Sequence, residues 1–487
     1  MSEIRQVLNF INGRYQSSDE TYLLRSPIHG ETVAQVHVAA QTDIDAAVRA
    51  ARDALDGPWG LMEASERYTI LRRATELIGA RSPDFIAAEI ADSGHPWSSV
   101  SRIEVPRGAQ QLATFADIAA SAENPAPVYT PSPGGGQATN TVQRMPKGVI
   151  AAICPWNLPL IMATWKLAPA LAWANCVVLK PSEFTPGTAA MLGEVFNEAG
   201  MPPGVVNIVQ GFGANSTGAQ LVAHPGIDAI NFTGETATGV AIMQAAALGV
   251  RDVSLELGGK NAALVLDDCD MDAAVAGTAA SAFYNCGQIC LGTERVYIAR
   301  RRFDEFVDRL AEKARAHVMG DPKNPKTTLG PLVSHEHQRK VLACYTRAVA
   351  EGAEVVTGGG VPDLPGALAG GAWIEPTIWT GLPEHAETVR EEIFGPCCHL
   401  RAVDSDEEAV ALANNTRYGL AAAVWSENPV RAQAVAARLR VGVCWINGWM
   451  IRDLRTPFGG VGQSGIGREG GAHAMEFHTE LKNICRV

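Results

Sequence analysis

From residue 148 the chain repeats one rhythm, and that rhythm narrows the folds open to it. Short apolar runs recur at GVIAAICPW (148–156), LAWANCVVLKPSE (171–183), GVVNIVQG (204–211), DAINFTG (228–234) and VSLELGG (253–259), with helical signals between them at 186–200, 214–224 and 236–248. The runs are rich in β-branched residues and do not alternate apolar with polar. Strands of this kind are buried on both faces, as in a parallel sheet covered by helices. The rhythm restarts with AALVL (262–266), a helix and RVYIA (295–299), so a second α/β unit is expected near 258. At 487 residues the chain exceeds what one hydrophobic core supports, and two or three domains are expected. The fold class is α/β.

Upstream, residues 43–56 and 63–92 carry helical spacing, the first with an Asp cap. Residues 123–148 are rich in turn formers and then alternate, which reads as a linker or a hairpin. The apolar stretch 153–180 is interrupted by Asn157, Lys166 and Asn175, so it reads as a buried element and not as a span of ~18 apolar residues. With no signal pattern at the N-terminus, a cytoplasmic location without membrane contact is the expectation. A formal net charge of -12 makes nucleic acid a poor partner. The ten cysteines form no CxxC and no zinc spacing, so reduced thiols and no metal are expected.

Several motifs sit where a parallel sheet binds ligands, at the carboxyl ends of its strands. Gly211-Phe212-Gly213 and Gly234–Gly239 each follow a strand and open a helix, and either could approach a phosphate or be only a tight turn. Lys180 and Glu183 could bond ribose hydroxyls, the acid disfavouring an added 2′-phosphate; the plain alternative is a surface salt bridge. Cys290, between Gly287 and Gly292, is a candidate thiolate nucleophile, its pKa lowered by a helix start or a strained turn. Glu256 at a strand end is a candidate base, and Asn157, held between prolines, a candidate oxyanion donor. Taken singly, each of these residue types is more often structural than catalytic.

Together the stretches PWNLPL, KPSE, NFTG, LELGGKN, CGQIC, EEIFGP, PFGG and SGIGRE, running from 155 to 469, resemble the aldehyde dehydrogenase superfamily over nearly the whole chain. The resemblance implies a Rossmann-type NAD domain (1–125 and 148–257), a catalytic domain (258–458) and a β oligomerisation segment (126–147 with 470–487). It implies that Cys290 attacks the aldehyde, Asn157 and the Cys290 N–H hold the oxyanion, and Glu256 activates water. Glu469 matches a carboxylate near that base. The NAD positions are Ile153, Pro155, Trp156, Lys180, Glu183, Gly213, Phe232, Thr233, Gly234, Leu257, Glu392 and Phe394. A homodimer or homotetramer is implied. One position departs: Glu235 stands where the family usually has a small hydroxyl, so it should turn away from a pyrophosphate, toward a helix-start N–H.

RDLRTPFGG, REEIFGPCCH and GREGG resemble the members that oxidise 2-hydroxymuconic and 2-aminomuconic semialdehydes in aromatic catabolism. Arg452 replaces the aromatic or apolar residue of general aldehyde members, and Arg107 matches a second arginine on the substrate carboxylate. Trp165 matches a pocket wall. The alternative is that Arg452 and Arg455 pair with acids such as Asp453. Rival functions are another aldehyde specificity (aliphatic, betaine or carboxymethyl-hydroxymuconic semialdehyde), a CoA-acylating enzyme, which would not need Glu256, and an inactive scaffold protein.

Overall fold

The structure, a computed structural model, describes residues 4–487. The apolar runs become strands of two large sheets. In the first, Val149–Ile153, Cys176–Lys180, Val206–Ile208, Ala229–Thr233 and Asp252–Glu256 are mutually parallel. Numbered along the chain, they lie in the order 3-2-1-4-5. The order reverses between Val149–Ile153 and Ala229–Thr233, so the connections leave these two neighbours in opposite directions and open a crevice at their carboxyl ends. Pro155, Trp156, Thr233 and Gly234 follow or end those two strands.

Short antiparallel strands, which the sequence pattern does not announce, close both edges. Asn9–Ile11 pairs with Val206–Ile208, and Gly465–Ile466 pairs with Asp252–Glu256. The second pairing carries the C-terminal region to the base of Glu256. The helix Pro159–Ala172 is almost wholly buried, which accounts for the apolar character of 153–180.

The second sheet has seven strands. Asn261–Val265, Thr293–Ala299, Thr377–Thr380, Cys397–Val403, Ala421–Trp425 and Val443–Ile446 are parallel, and Glu354–Thr357 adds an antiparallel edge. In a third sheet, the hairpin strands Val128–Pro131 and Gln137–Pro146 pair with Thr479–Arg486, Leu481 opposite Arg144. Among the described residues no helix is long and apolar enough to cross a membrane.

Two helix expectations need correction. The 63–92 stretch is two helices, Ala64–Ala80 and Ser82–Ser93, because Pro83 can enter a first turn but not a helix interior. At Gln41–Asp56 the cap residue is Ala40. Asp43 lies three residues on and accepts from the Ala40 N–H at 2.9 Å.

The helix Met271–Phe283 packs on Ala421–Trp425 through Gly277, where a Cβ would overlap the buried Trp425 ring. Gly277→Ala should therefore destabilise the protein by about 1–3 kcal/mol through overpacking. Thermal and denaturant melts of the full chain check this; an unchanged midpoint would show that the ring moves freely.

Candidate active site

One cavity of about 1180 Å³ lies at the carboxyl ends of the first sheet and reaches across to the second. Cys290, Asn157, Glu256 and Glu469 all line it.

The nucleophile candidate sits in a turn, not at a helix start. The helix Met271–Phe283 ends, and Asn285, Cys286 and Gly287 follow with φ of 51°, 54° and 70°. This left-handed run reverses the chain, and at Gly287 a Cβ would overlap the Gly395 carbonyl. Side chains from elsewhere then hold the loop by its carbonyls. Asn261 donates to the Cys290 and Gly292 carbonyls at 2.7 and 2.8 Å, and the Trp449 indole to Leu291 at 3.0 Å. Cys290 does not have the lowered pKa expected of it. Burial and the nearby charges of Glu256 and Glu392 push its thiol up to about 12, while Arg452 pulls it back.

The Asn157 side chain donates one N–H to the Gln288 carbonyl at 2.9 Å, and the Asn157 backbone carbonyl accepts from the Asn285 side chain at 2.8 Å. An amide has two donors, so this fixes the side chain beside the Cys290 loop and leaves one N–H available. Glu256 is buried with no hydrogen-bond partner on either oxygen. Burial first, then the charge of Glu469, raises its pKa well above the carboxylate range. Glu469 is better held: it accepts from Lys166 at 2.8 Å and from the Trp165 indole.

Trp165 in turn carries Arg452. The guanidinium carbon lies 4.2 Å from the Trp165 ring centre and 3.7 Å from that of Phe458. The outer nitrogen Nη2 of Arg452 is buried without a hydrogen-bond partner, and so is that of Arg107; both residues line the cavity. Burial and the charge of Arg107 bring the Arg452 pKa down to about 10. Asp453 pairs with Arg455 instead, at 2.5 Å. The surface-pair alternative thus holds for Arg455 and not for Arg452.

Of the expected cofactor positions, Pro155, Trp156, Thr233, Gly234, Leu257, Glu392 and Phe394 line the cavity; Ile153, Lys180, Glu183, Gly213 and Phe232 lie outside its lining. Lys180 is buried at its strand end, 3.7 Å from Glu183, with its ammonium on the Pro181 carbonyl. The helix after Gly213 is only seven residues, and Gly213 backs Gly218. The stronger phosphate candidate is the twelve-residue helix Thr236–Ala247, which begins at the cavity after Gly234. Thr233 Oγ1, just before it, is buried without a partner. Glu392 accepts from the Gly259 N–H at 2.8 Å, and a Cβ at Gly258 would overlap it. Phe394 meets Trp156 edge to face at 5.3 Å. An unpartnered hydroxyl, a helix start and two aromatic walls fit a dinucleotide. Glu235 lines the same cavity and pairs with Lys340 at 3.3 Å, not with a helix-start N–H.

Sequence reasoning missed the supports. Glu294 takes Lys260 on one side and the N–H groups of Ile393 and Phe394 on the other, so it shapes EEIFGP. His337 bonds the Phe394 carbonyl at 2.8 Å, and burial lowers its pKa to about 4. Lys260 and Asn261 lie within LELGGKN and were readable as motif members; Glu294 and His337 carry no local signal.

The aldehyde dehydrogenase family model matches residues 15–484. The chain belongs to the aldehyde dehydrogenase family. It is 55% identical over 484 residues to 2-hydroxymuconic semialdehyde dehydrogenase of Pseudomonas sp. (strain CF600), covering 99% of each chain. It is 49% identical over 485 residues to 2-aminomuconic 6-semialdehyde dehydrogenase of Pseudomonas sp., covering 99% and 98%. Among solved structures, the NAD+ complex of aldehyde dehydrogenase from Bacillus cereus matches with TM-score 0.94 at 36% identity, covering 99% of this chain and 96% of that one. The protein is thus an oxidoreductase acting on aldehydes.

The unpartnered Glu256 gives a stability test. Its folded-state pKa is raised, so the folded chain favours the neutral acid. That contribution is complete below the unfolded pKa of about 4.3 and is lost as pH rises through the folded value. Glu256→Gln, neutral at all pH, should therefore gain stability over the parent as pH rises from acid to alkaline. Paired melting curves across pH measure this; a pH-independent offset would contradict it.

Proposed function

We propose that this enzyme oxidises a carboxylate-bearing semialdehyde, 2-hydroxymuconate or 2-aminomuconate semialdehyde, to the dicarboxylate with NAD, in the breakdown of aromatic compounds. One observation carries the reading: two arginines, Arg107 and Arg452, share one cavity with Cys290, and each keeps a buried nitrogen free. Two unpaired cations side by side are costly unless an anion joins them. A cationic substrate such as betaine aldehyde would be repelled there. The two muconic semialdehyde names of the close relatives agree with this chemistry.

The residues then divide the work. The thiol of Cys290, once deprotonated, adds to the aldehyde carbon and forms a thiohemiacetal. The free N–H of Asn157 and the Cys290 backbone N–H receive the developing oxyanion. Bound NAD would supply the hydride acceptor that the conversion of this adduct to a thioester on Cys290 requires. Glu256 accepts a proton from water, which attacks the thioester, expels the thiolate and releases the acid. The unpartnered oxygens of Glu256 suit that role, since nothing else holds them. Trp156, Thr233, Gly234, Leu257, Glu392 and Phe394 would hold the dinucleotide, with Lys180 and Glu183 toward its adenosine ribose. An acid at that ribose favours NAD over NADP.

We also infer a homodimer or homotetramer joined through the third sheet. Its outer strands are open along their edges and expose Val128, Tyr129, Leu481 and Ile484.

Arg452→Ala should raise KM for the carboxylate semialdehyde by about 10- to 100-fold, the loss of a charge-assisted hydrogen bond, and leave a neutral aldehyde much less affected. Steady-state kinetics with freshly prepared ring-cleavage semialdehydes and an uncharged aldehyde test this. Equal losses on both would overturn the anion reading.

A further inference from the structure

Behind the substrate end of the cavity lies a buried polar network that the chemistry above does not use. The helix carrying Arg107 is not uniform. It runs Trp97–Ser99, widens to a π turn at Val100–Glu104, and continues as Val105–Ala120. The widening is visible in the Val105 N–H, which bonds Val100, five residues back. Pro106 follows directly. A proline in a helix clashes with the carbonyl four residues earlier, and an extra residue in the preceding turn relieves that clash. Each residue turns a helix by about 100°, so the inserted residue also decides which way the next turn faces. Here it faces Ile103 and Arg107 into the cavity.

Glu104, the last residue of the wide turn, is fully buried, and its carboxylate staples the turn shut. One oxygen accepts from Ser99 Oγ at 2.8 Å, across the turn; the other meets His95 Nδ1 at 2.9 Å. Ser99 Oγ is also 2.6 Å from the Tyr284 hydroxyl. A carboxylate can only accept, so Ser99 gives Glu104 its single proton and Tyr284 donates to Ser99. Burial and the charge of Glu104 raise the Tyr284 pKa and keep that phenol protonated. Tyr284 directly precedes the left-handed run that leads to Cys290, and its ring lies 6.0 Å from that of Trp449, which bonds Leu291. The chain Tyr284–Ser99–Glu104–His95 therefore ties the arginine's helix to the nucleophile's loop.

We propose that Glu104 is a positioning residue that sets substrate length: it holds the wide turn that aims Arg107, and through Ser99 and Tyr284 it fixes that arginine relative to Cys290. The proposal rests on the anion reading above. It assigns a specificity role to a carboxylate that touches neither substrate nor cofactor. Loss of the staple leaves the wide turn, which Pro106 still requires, unpinned, so Arg107 swings away while Cys290 stays clamped by Asn261.

The test uses the full-length enzyme and a homologous series of dicarboxylic semialdehydes, with a neutral aldehyde as reference. Glu104→Ala should raise KM for the preferred length by about tenfold, flatten the preference along the series, and change kcat for the neutral aldehyde little. Glu104→Gln should recover most of the selectivity, since an amide still accepts from Ser99 and a neutral imidazole can switch tautomer to accept from the amide. Tyr284→Phe cuts only the link to the nucleophile loop and keeps the buried carboxylate, so it decides the matter should Glu104→Ala not fold; it should show the same selective KM rise at smaller size. Equal losses on charged and neutral aldehydes, or a length preference untouched in Tyr284→Phe, overturn the proposal. Arg452→Ala run alongside separates the two ideas. Selectivity lost there but kept in the Glu104 and Tyr284 variants sinks the positioning role alone. Selectivity kept in all of them sinks the anion reading as well.

Discussion

The site hangs on one buried carboxylate. Glu469 takes Lys166 and the Trp165 indole, two neighbours on the helix Pro159–Ala172, and its backbone exchanges two 2.7 Å hydrogen bonds with Phe458. That single residue fastens the C-terminal region to the first sheet's crossover helix. It fixes Trp165 and Phe458, the two rings against which the Arg452 guanidinium lies, and its charge helps to raise the Glu256 pKa. A buried ion pair is seldom a net source of stability, because desolvating both charges offsets their attraction. What it supplies here is orientation, since an indole bonded to a carboxylate that is also held by an ammonium has little freedom to tilt.

The acids of the cavity share one consequence of burial. Glu392 is pushed up to about 8, Glu256 rises further above its ordinary range, and Cys290 rises with them. Each proton kept on one group relieves its neighbours, since the repulsions are mutual. Deprotonation of Cys290 has to be driven by whatever brings positive charge near it, and Arg452 is the cation of the chain that acts in that direction.

Much of this was legible in the sequence, for physical reasons. Strands such as Ala229–Thr233 are readable because they are buried on both faces and carry no polar alternation. Cys290, Asn157 and Glu256 are readable as a set, though each alone is ambiguous. Two long-range pairings were not readable: Asn9–Ile11 and Gly465–Ile466 are three and two residues long, and their partners lie far along the chain. The Arg452 contacts join residues 165 and 458, which no local pattern connects. Glu104 looks like any polar residue of an amphipathic helix until the wide turn places it inside. Lys180 lies at its strand end as read, and its ammonium rests on the Pro181 carbonyl, a contact no sequence pattern announces.

The arrangement of the arginines also says how discrimination would work under the anion reading. A site that only attracts carboxylates would still accept neutral aldehydes through its apolar walls. Arg107 and Arg452 do more, because each holds one nitrogen, Nη2, buried and unpartnered before any substrate arrives. A neutral aldehyde leaves those nitrogens unpaired and excludes water from them as well, whereas a carboxylate satisfies both. Rejection by unpaired polar groups reaches far larger factors than rejection by a missing methylene. Contact with Trp165 and Phe458 is what makes this workable. The two rings stabilise the guanidinium by cation–π attraction and leave its Nη2 without a protein partner, free to bond a carboxylate in the cavity.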